Sequence, residues 1–218
     1  MAEKDLVTLP KGGVPDTARD DVFKKTTQSG DYLPRLQLMT SNSEMVKDDK
    51  FPMNHYALVR DQNYADLGKE VDILLIEWRP KAIEIDEQIL AVYDPDDDNF
   101  IRIQAESAKK DTGCMYGPEF LVWIPKAEEF ATFFMGSKSS RREATSVRAL
   151  LKKAGTLKSK KISTTQYTWY SPVIEKCASV FDVPGKDVIL EQWEKFTHPP
   201  KSEVEKAPDE EDKDKRAR

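Results

Sequence analysis

Between residues 32 and 198 the apolar positions alternate or run together over short spans, a pattern that predicts strands more often than helices. Leu36 and Leu38 alternate with Arg35 and Gln37 after Pro34, and Tyr56, Leu58 and Arg60 alternate with Ala57 and Val59. Residues 71–78 read Val-Asp-Ile-Leu-Leu-Ile-Glu-Trp, as expected of a central strand covered on both faces. Arg79-Pro80-Lys81 is expected to end it, because proline cannot donate to a ladder. Ile83 and Ile85 flank Glu84, a short run follows at 89–93, and Asp94-Pro95-Asp96-Asp97-Asp98 reads as a turn. A short helix is expected around 100–109. The loop 111–118 then leads into a strand at 119–124, with Phe120, Val122 and Ile124 on one face and Leu121 and Trp123 on the other. Residues 130–134 form a further strand.

The clearest helical signal follows. Ser140 with Glu143 three residues on has the spacing of a capping box, and Ala144, Val147, Leu150, Leu151 and Ala154 form an apolar stripe. Gly155 stands where a left-handed C-terminal cap is expected. Residues 162–170, rich in Thr and aromatics, and 173–180 read as two strands. A last helix at 186–196 places Ile189, Trp193 and Phe196 along one side, to pack across the sheet. The expected fold is mainly β, an OB-fold-like barrel or curled sheet with one amphipathic helix between strands and a C-terminal helix. A generic α+β sheet is the competing architecture.

Composition changes the picture at the ends. Residues 1–31 show little apolar periodicity, and residues 199–218 hold only Val204, Ala207 and Ala217 among charges and prolines. Such segments cannot bury enough apolar surface to offset chain entropy, so both are expected to be disordered around one domain at 32–198. No apolar run approaches the roughly 20 residues of a membrane helix, and no signal segment opens the chain, so a soluble intracellular protein is expected. Cys114 and Cys177 stand alone, without ligand spacing or a disulfide framework, and are expected as buried thiols.

The net charge of −5 conceals a segregation. From Lys138 to Lys161 nine basic residues (Lys138, Arg141, Arg142, Arg148, Lys152, Lys153, Lys158, Lys160 and Lys161) face the single acid Glu143, a local net of +8 that leaves −13 for the remainder. On an ideal helix Arg141, Arg148 and Lys152 share a line opposite the apolar stripe, free to meet phosphates. Read as one strand, residues 161–169 put Lys161, Ser163, Thr165, Tyr167 and Trp169 on one face, where bases stack beside phosphate contacts. Trp123 is a second stacking candidate. These features point to sequence-tolerant binding of single-stranded DNA.

The Leu33-Pro-x-Leu36-x-Leu38 opening, the strand at 71–78, Pro118-x-Phe120-x-Val122, Ser139/Arg141/Arg142 leading a helix, and Tyr167-Thr-Trp169-Tyr170 together resemble bacteriophage single-stranded DNA-binding proteins of OB-fold type. The resemblance covers residues 33–180. It implies coating of exposed strands in DNA replication or recombination, in the cytoplasm of a bacterial host. It also implies an acidic tail that recruits replication proteins, for which Asp209, Glu210, Glu211 and Asp212 are the candidates. Lys213, Lys215, Arg216 and Arg218 follow where that pattern has further acid.

Catalytic readings find little support. His55 and His198 form no general-base pair, no phosphate-binding glycine loop is present, and neither cofactor nor metal is expected. Asp94, Asp96 and Asp98 lack the glycine and distal acid of a calcium loop. The alternatives to strand binding are a protein-interaction or assembly module whose basic stretch meets an acidic partner, and a metal-dependent nuclease using those carboxylates.

Overall fold

The computed structural model describes residues 6–8, 33–60, 63–86, 89–93, 95–109, 112–165, 168–177 and 179–198. Among the described residues ten strands and four helices follow in the order β1 (Leu6–Thr8), β2 (Arg35–Leu38), α1 (Glu44–Lys47), β3 (Tyr56–Arg60), β4 (Asn63–Gly68), β5 (Val71–Asp86), β6 (Ile89–Tyr93), α2 (Asp98–Glu106), β7 (Cys114–Ile124), β8 (Glu129–Phe134), α3 (Lys138–Arg148), β9 (Ala154–Ser163), β10 (Thr168–Lys176) and α4 (Lys186–Thr197). Apart from β1, which pairs with β4, the expected N-terminal arm lies outside the described residues, as does the tail at 199–218.

The fold is mainly β, one strongly curled half-barrel sheet. Its strands run in the order β1-β4-β3-β2-β8-β7-β5-β9-β10, with β6 added to β5. All neighbours are antiparallel except β2 and β8. The segment β5-β7-β8-α3-β9-β10, with sheet order β8-β7-β5-β9-β10, has the connectivity of an OB-like barrel. The curl carries β3 round to β9, where the buried Tyr56 hydroxyl donates to the Lys158 carbonyl at 2.9 Å. Burial holds that phenol protonated far above its usual range.

The inner face is the main core, built from alternate residues of the central strands: Ile73 and Leu75 on β5, Phe120, Val122 and Ile124 on β7, Ala131 and Phe133 on β8. Ala144 and Val147 of α3 pack into it, so the apolar side of this helix faces the sheet as its periodicity requires. On the outer face, α4 lays Ile189, Trp193 and Phe196 over Leu121, Trp123, Phe130 and Ile76. A separate cluster of Met39, Met45, Phe51, Ala57, Val59 and Tyr64 joins the segment around α1 to β3 and β4.

Several local expectations are corrected. Pro80 does not end β5, which runs on to Asp86. It stands opposite Pro118, and two prolines fit there because a non-hydrogen-bonded pair points its backbone nitrogens away from the partner strand. On the other side of β5, β9 pairs only as far as Leu74 and β6 begins only at Ala82, so Pro80 interrupts no ladder. The loop expected at 111–118 is largely strand, since β7 starts at Cys114.

The cap of α3 is Ser137, whose hydroxyl accepts from the Ser140 amide at 3.1 Å; Ser140 itself is buried one turn inside. The helix ends at Arg148, and the left-handed residue after it is Lys152 (φ 60°), so Gly155 is no cap and belongs to β9. Finally, residues 162–170 are not one strand. β9 ends at Ser163 and β10 begins at Thr168, which makes this stretch the tip of a hairpin. Cys114 and Cys177 are free thiols, half-buried rather than buried. Among the described residues no helix is long and apolar enough to cross a membrane.

Candidate nucleic-acid interface

The basic stretch spans α3, the turn 149–153 and β9, three connected elements on one end of the sheet. Lys138, Arg142, Arg148, Lys152, Lys153, Lys160 and Lys161 are exposed. None of these seven forms an ion pair with a described residue. Lys158 differs: it meets Glu175 at 3.0 Å and Glu70 at 3.6 Å, and the hydrogen bond and charge of Glu175, with Glu70 behind, hold its ammonium above the usual range. The first turn of α3 contains no acid, although Lys138, Arg141 and Arg142 lie at or near it. Cations there oppose the helix dipole, which favours negative charge at an N-terminus by about 0.3–1 kcal/mol per charge. The local potential is positive at the expense of the helix.

The expected line of Arg141, Arg148 and Lys152 is broken. Arg141 is half-buried and donates from Nη1 to the Tyr116 carbonyl at 3.1 Å and to Ser107 Oγ at 3.2 Å, which ties α3 to β7 and to the end of α2. The guanidinium of Arg148 lies over the half-buried Trp78, its Cζ 3.7 Å from the ring centroid. Lys152 is past the helix, in the turn whose backbone completes the edge of β5: its amide donates to the Leu75 carbonyl at 2.7 Å, and the Leu75 amide donates to the Lys153 carbonyl at 3.2 Å.

The aromatic expectations are also redistributed. Tyr167 lies outside the described residues. Trp169 pairs with Ile162, whereas Tyr170 pairs with Lys161; directly opposed residues of an antiparallel pair share a face, so Trp169 and Lys161 are on opposite faces. Tyr170, half-exposed, is the aromatic beside Lys161. Trp123 is no open platform. Its ring packs on Phe130 at 4.9 Å, its indole donates to the Asp182 carbonyl at 3.2 Å, and α4 covers the cluster to which it belongs.

Trp78 went unnoticed in the sequence because period-two counting from Val71, Ile73 and Leu75 puts Glu77, and not Trp78, next on their face. A register shift between Leu75 and Glu77 resets that count, and Arg148 seventy residues on supplies the partner. The only signal in the sequence was a tryptophan ending an apolar run beside a basic residue and a proline.

A second charged group sits on the outer face. The Glu119 carboxylate, 1% exposed, accepts from Lys81 Nζ at 2.6 Å and from Arg79 at 2.9 Å. Burial raises its proton affinity more than any other single influence, but the charges and hydrogen bonds of Lys81 and Arg79 together outweigh burial and hold the group ionised below the usual carboxylate range. Arg79 also lies over Phe196 of α4 at 4.8 Å, so the triad anchors the C-terminal helix. Among the described residues no group of three or more His, Cys, Asp or Glu side chains is placed to hold a metal ion.

Comparison of the chain with protein families, with characterised proteins and with solved structures finds no match.

Proposed function

We propose that the protein binds single-stranded DNA without reading its sequence and performs no catalytic step. The observation that carries this reading is the set of exposed cations on α3, the following turn and β9 that no acid neutralises among the described residues, in a chain whose net charge is −5. Elsewhere Arg60, Arg79, Lys81 and Arg102 each have a carboxylate partner. Like charges gathered along connected elements repel one another, and a polyanion that releases its counterions on binding relieves that repulsion.

Half-exposed Trp78 and Tyr170 beside these cations favour a single strand, whose unpaired bases can stack on aromatic rings while a duplex keeps its bases inside. In OB-like barrels the connection between the fourth and fifth strands contributes to oligonucleotide binding, and here that connection is the tip of the basic β9–β10 hairpin. The resemblance noted above supports a role in coating exposed strands during phage DNA replication or recombination in a bacterial cytoplasm, with Asp209, Glu210, Glu211 and Asp212 recruiting replication proteins.

An electrophoretic shift with single-stranded DNA, single-stranded RNA and duplex of equal length, with and without magnesium, tests the reading. Retardation of the single strands with the DNA left intact is expected. Cleavage would favour the nuclease, and no shift at low salt would favour the interaction module.

A further inference from the structure

Arg148 is the last residue of α3, exposed, and without an ion pair among the described residues, yet its guanidinium lies on the indole of Trp78 at 3.7 Å. Trp78 packs against the main core on one side. It lies on the stretch of β5 between Leu74, where β9 stops pairing, and Ala82, where β6 starts. No neighbouring strand therefore crowds that edge. The turn that carries Lys152 and Lys153 is fastened to Leu75, three residues or about 10 Å from Trp78 along the strand. The adjacent Glu77 is engaged elsewhere, accepting from the Trp78 amide at 2.9 Å and from the Trp193 indole at 3.2 Å.

A planar guanidinium in van der Waals contact with a ring fills the slot that a planar nucleobase takes, since both rest at about 3.5–4 Å. A solvent-exposed cation–π contact is weaker than base stacking on the same ring. Arg148 fills that slot, the turn of Lys152 and Lys153 is fastened to the same strand, and a base enters it only with a phosphate attached.

We propose that Trp78 is a base-stacking platform for single-stranded DNA, that Arg148 occupies it in the free protein, and that an entering base displaces Arg148 onto the adjoining phosphate, between Lys152 and Lys153. The inference rests on the single-strand reading given above and names a site within it. Arg148 thus serves twice, keeping the apolar ring covered when no strand is bound and supplying a phosphate contact when one is.

The test uses the full chain labelled with 5-fluorotryptophan, whose four fluorine resonances are assigned by single Trp→Phe variants, titrated with oligo(dT). The Trp78 resonance is expected to shift on saturation. In Arg148→Ala it is expected to move already in the free protein and to shift again with oligo(dT). Trp78→Phe, which preserves most of the packing, is expected to weaken oligo(dT) binding about tenfold with its circular dichroism unchanged.

Saturable binding with an unmoved Trp78 resonance, or with wild-type affinity in folded Trp78→Phe, overturns the proposal and leaves the single-strand reading in place. Absence of oligo(dT) binding by the wild-type chain overturns both.

Discussion

Glu119→Gln removes one charge from the buried triad that fixes β5 to β7 immediately beside Trp78. The carboxylate is 1% exposed and is held by Lys81 at 2.6 Å and Arg79 at 2.9 Å. Breaking a buried ion pair by removing one partner costs about 3–5 kcal/mol. Lys81 and Arg79 are 18% and 21% exposed and can rehydrate in part, which puts the expected loss at the lower end, about 3 kcal/mol. In a domain of this size each kcal/mol moves the melting temperature by about 2–4 °C, so Glu119→Gln should melt about 6–12 °C lower at pH 7.

The sign of the pH dependence follows from the depressed folded-state value. The unfolded chain binds the Glu119 proton more readily, so the stabilisation is complete above the ordinary carboxylate range and is lost as pH falls through the folded value. The gap between wild type and Glu119→Gln should therefore close as pH drops below about 4. Urea unfolding followed by tryptophan fluorescence at pH 7, 5, 4, 3 and 2 measures it. Replacing Arg79, Lys81 and Glu119 together by Met should restore most of the stability, since exchanging a whole buried ion group for apolar side chains is often neutral or better. A Glu119→Gln variant as stable as wild type at pH 7, or a gap that stays constant into acid, would refute the reasoning.

Arg141→Ala should lower stability through the lost ties to Tyr116 and Ser107 while leaving the salt dependence of DNA binding unchanged, as urea melts and gel shifts at three salt concentrations would show. Trp123→Ala should cost about 3 kcal/mol, because it opens the cluster beneath α4 and strands a hydrogen bond; unchanged stability with lost DNA binding would return Trp123 to the interface. Gly117→Ala should fail to fold or melt far below wild type, since an added Cβ would lie 2.2 Å from the Met135 carbonyl oxygen; a normal melt would show that β7 and the chain after β8 part freely. Tyr170→Ala should weaken binding to oligo(dT) more than Ile162→Ala does, because Tyr170 and not Ile162 shares a face with Lys161.

Elements whose apolar residues alternate or recur at helical spacing were legible in the sequence. β3 occupies the expected residues, the two faces of β7 divide as alternation requires, and α4 buries the predicted stripe of Ile189, Trp193 and Phe196. The failures have local causes. Residues 164–167, Thr-Thr-Gln-Tyr, contain no Gly, Pro, Asn or Asp, so nothing marked a hairpin tip, and an unbroken strand then carried Trp169 to the face of Lys161.

Pro80 was read as a breaker because its partner across the ladder, another proline thirty-eight residues later, is a tertiary fact. Ser137, Ser139 and Ser140 are all capping residues by type, and only the backbone shows that the first one caps. The basic run was plain from composition. Its division into engaged Arg141 and Lys158 and exposed Arg142, Lys152, Lys153, Lys160 and Lys161 depended on what lies within reach in space.

The most direct test of strand binding by this surface is the salt dependence of affinity for oligo(dT), measured for wild type and for the joint variant Arg142→Gln, Lys153→Gln, Lys160→Gln and Lys161→Gln. Each phosphate contact on a single strand contributes about −0.7 to the slope of log affinity against log salt. The account predicts a variant that folds like wild type, binds more weakly at every salt concentration, and has a slope flatter by roughly 3. Wild-type affinity and slope in the folded variant would contradict it.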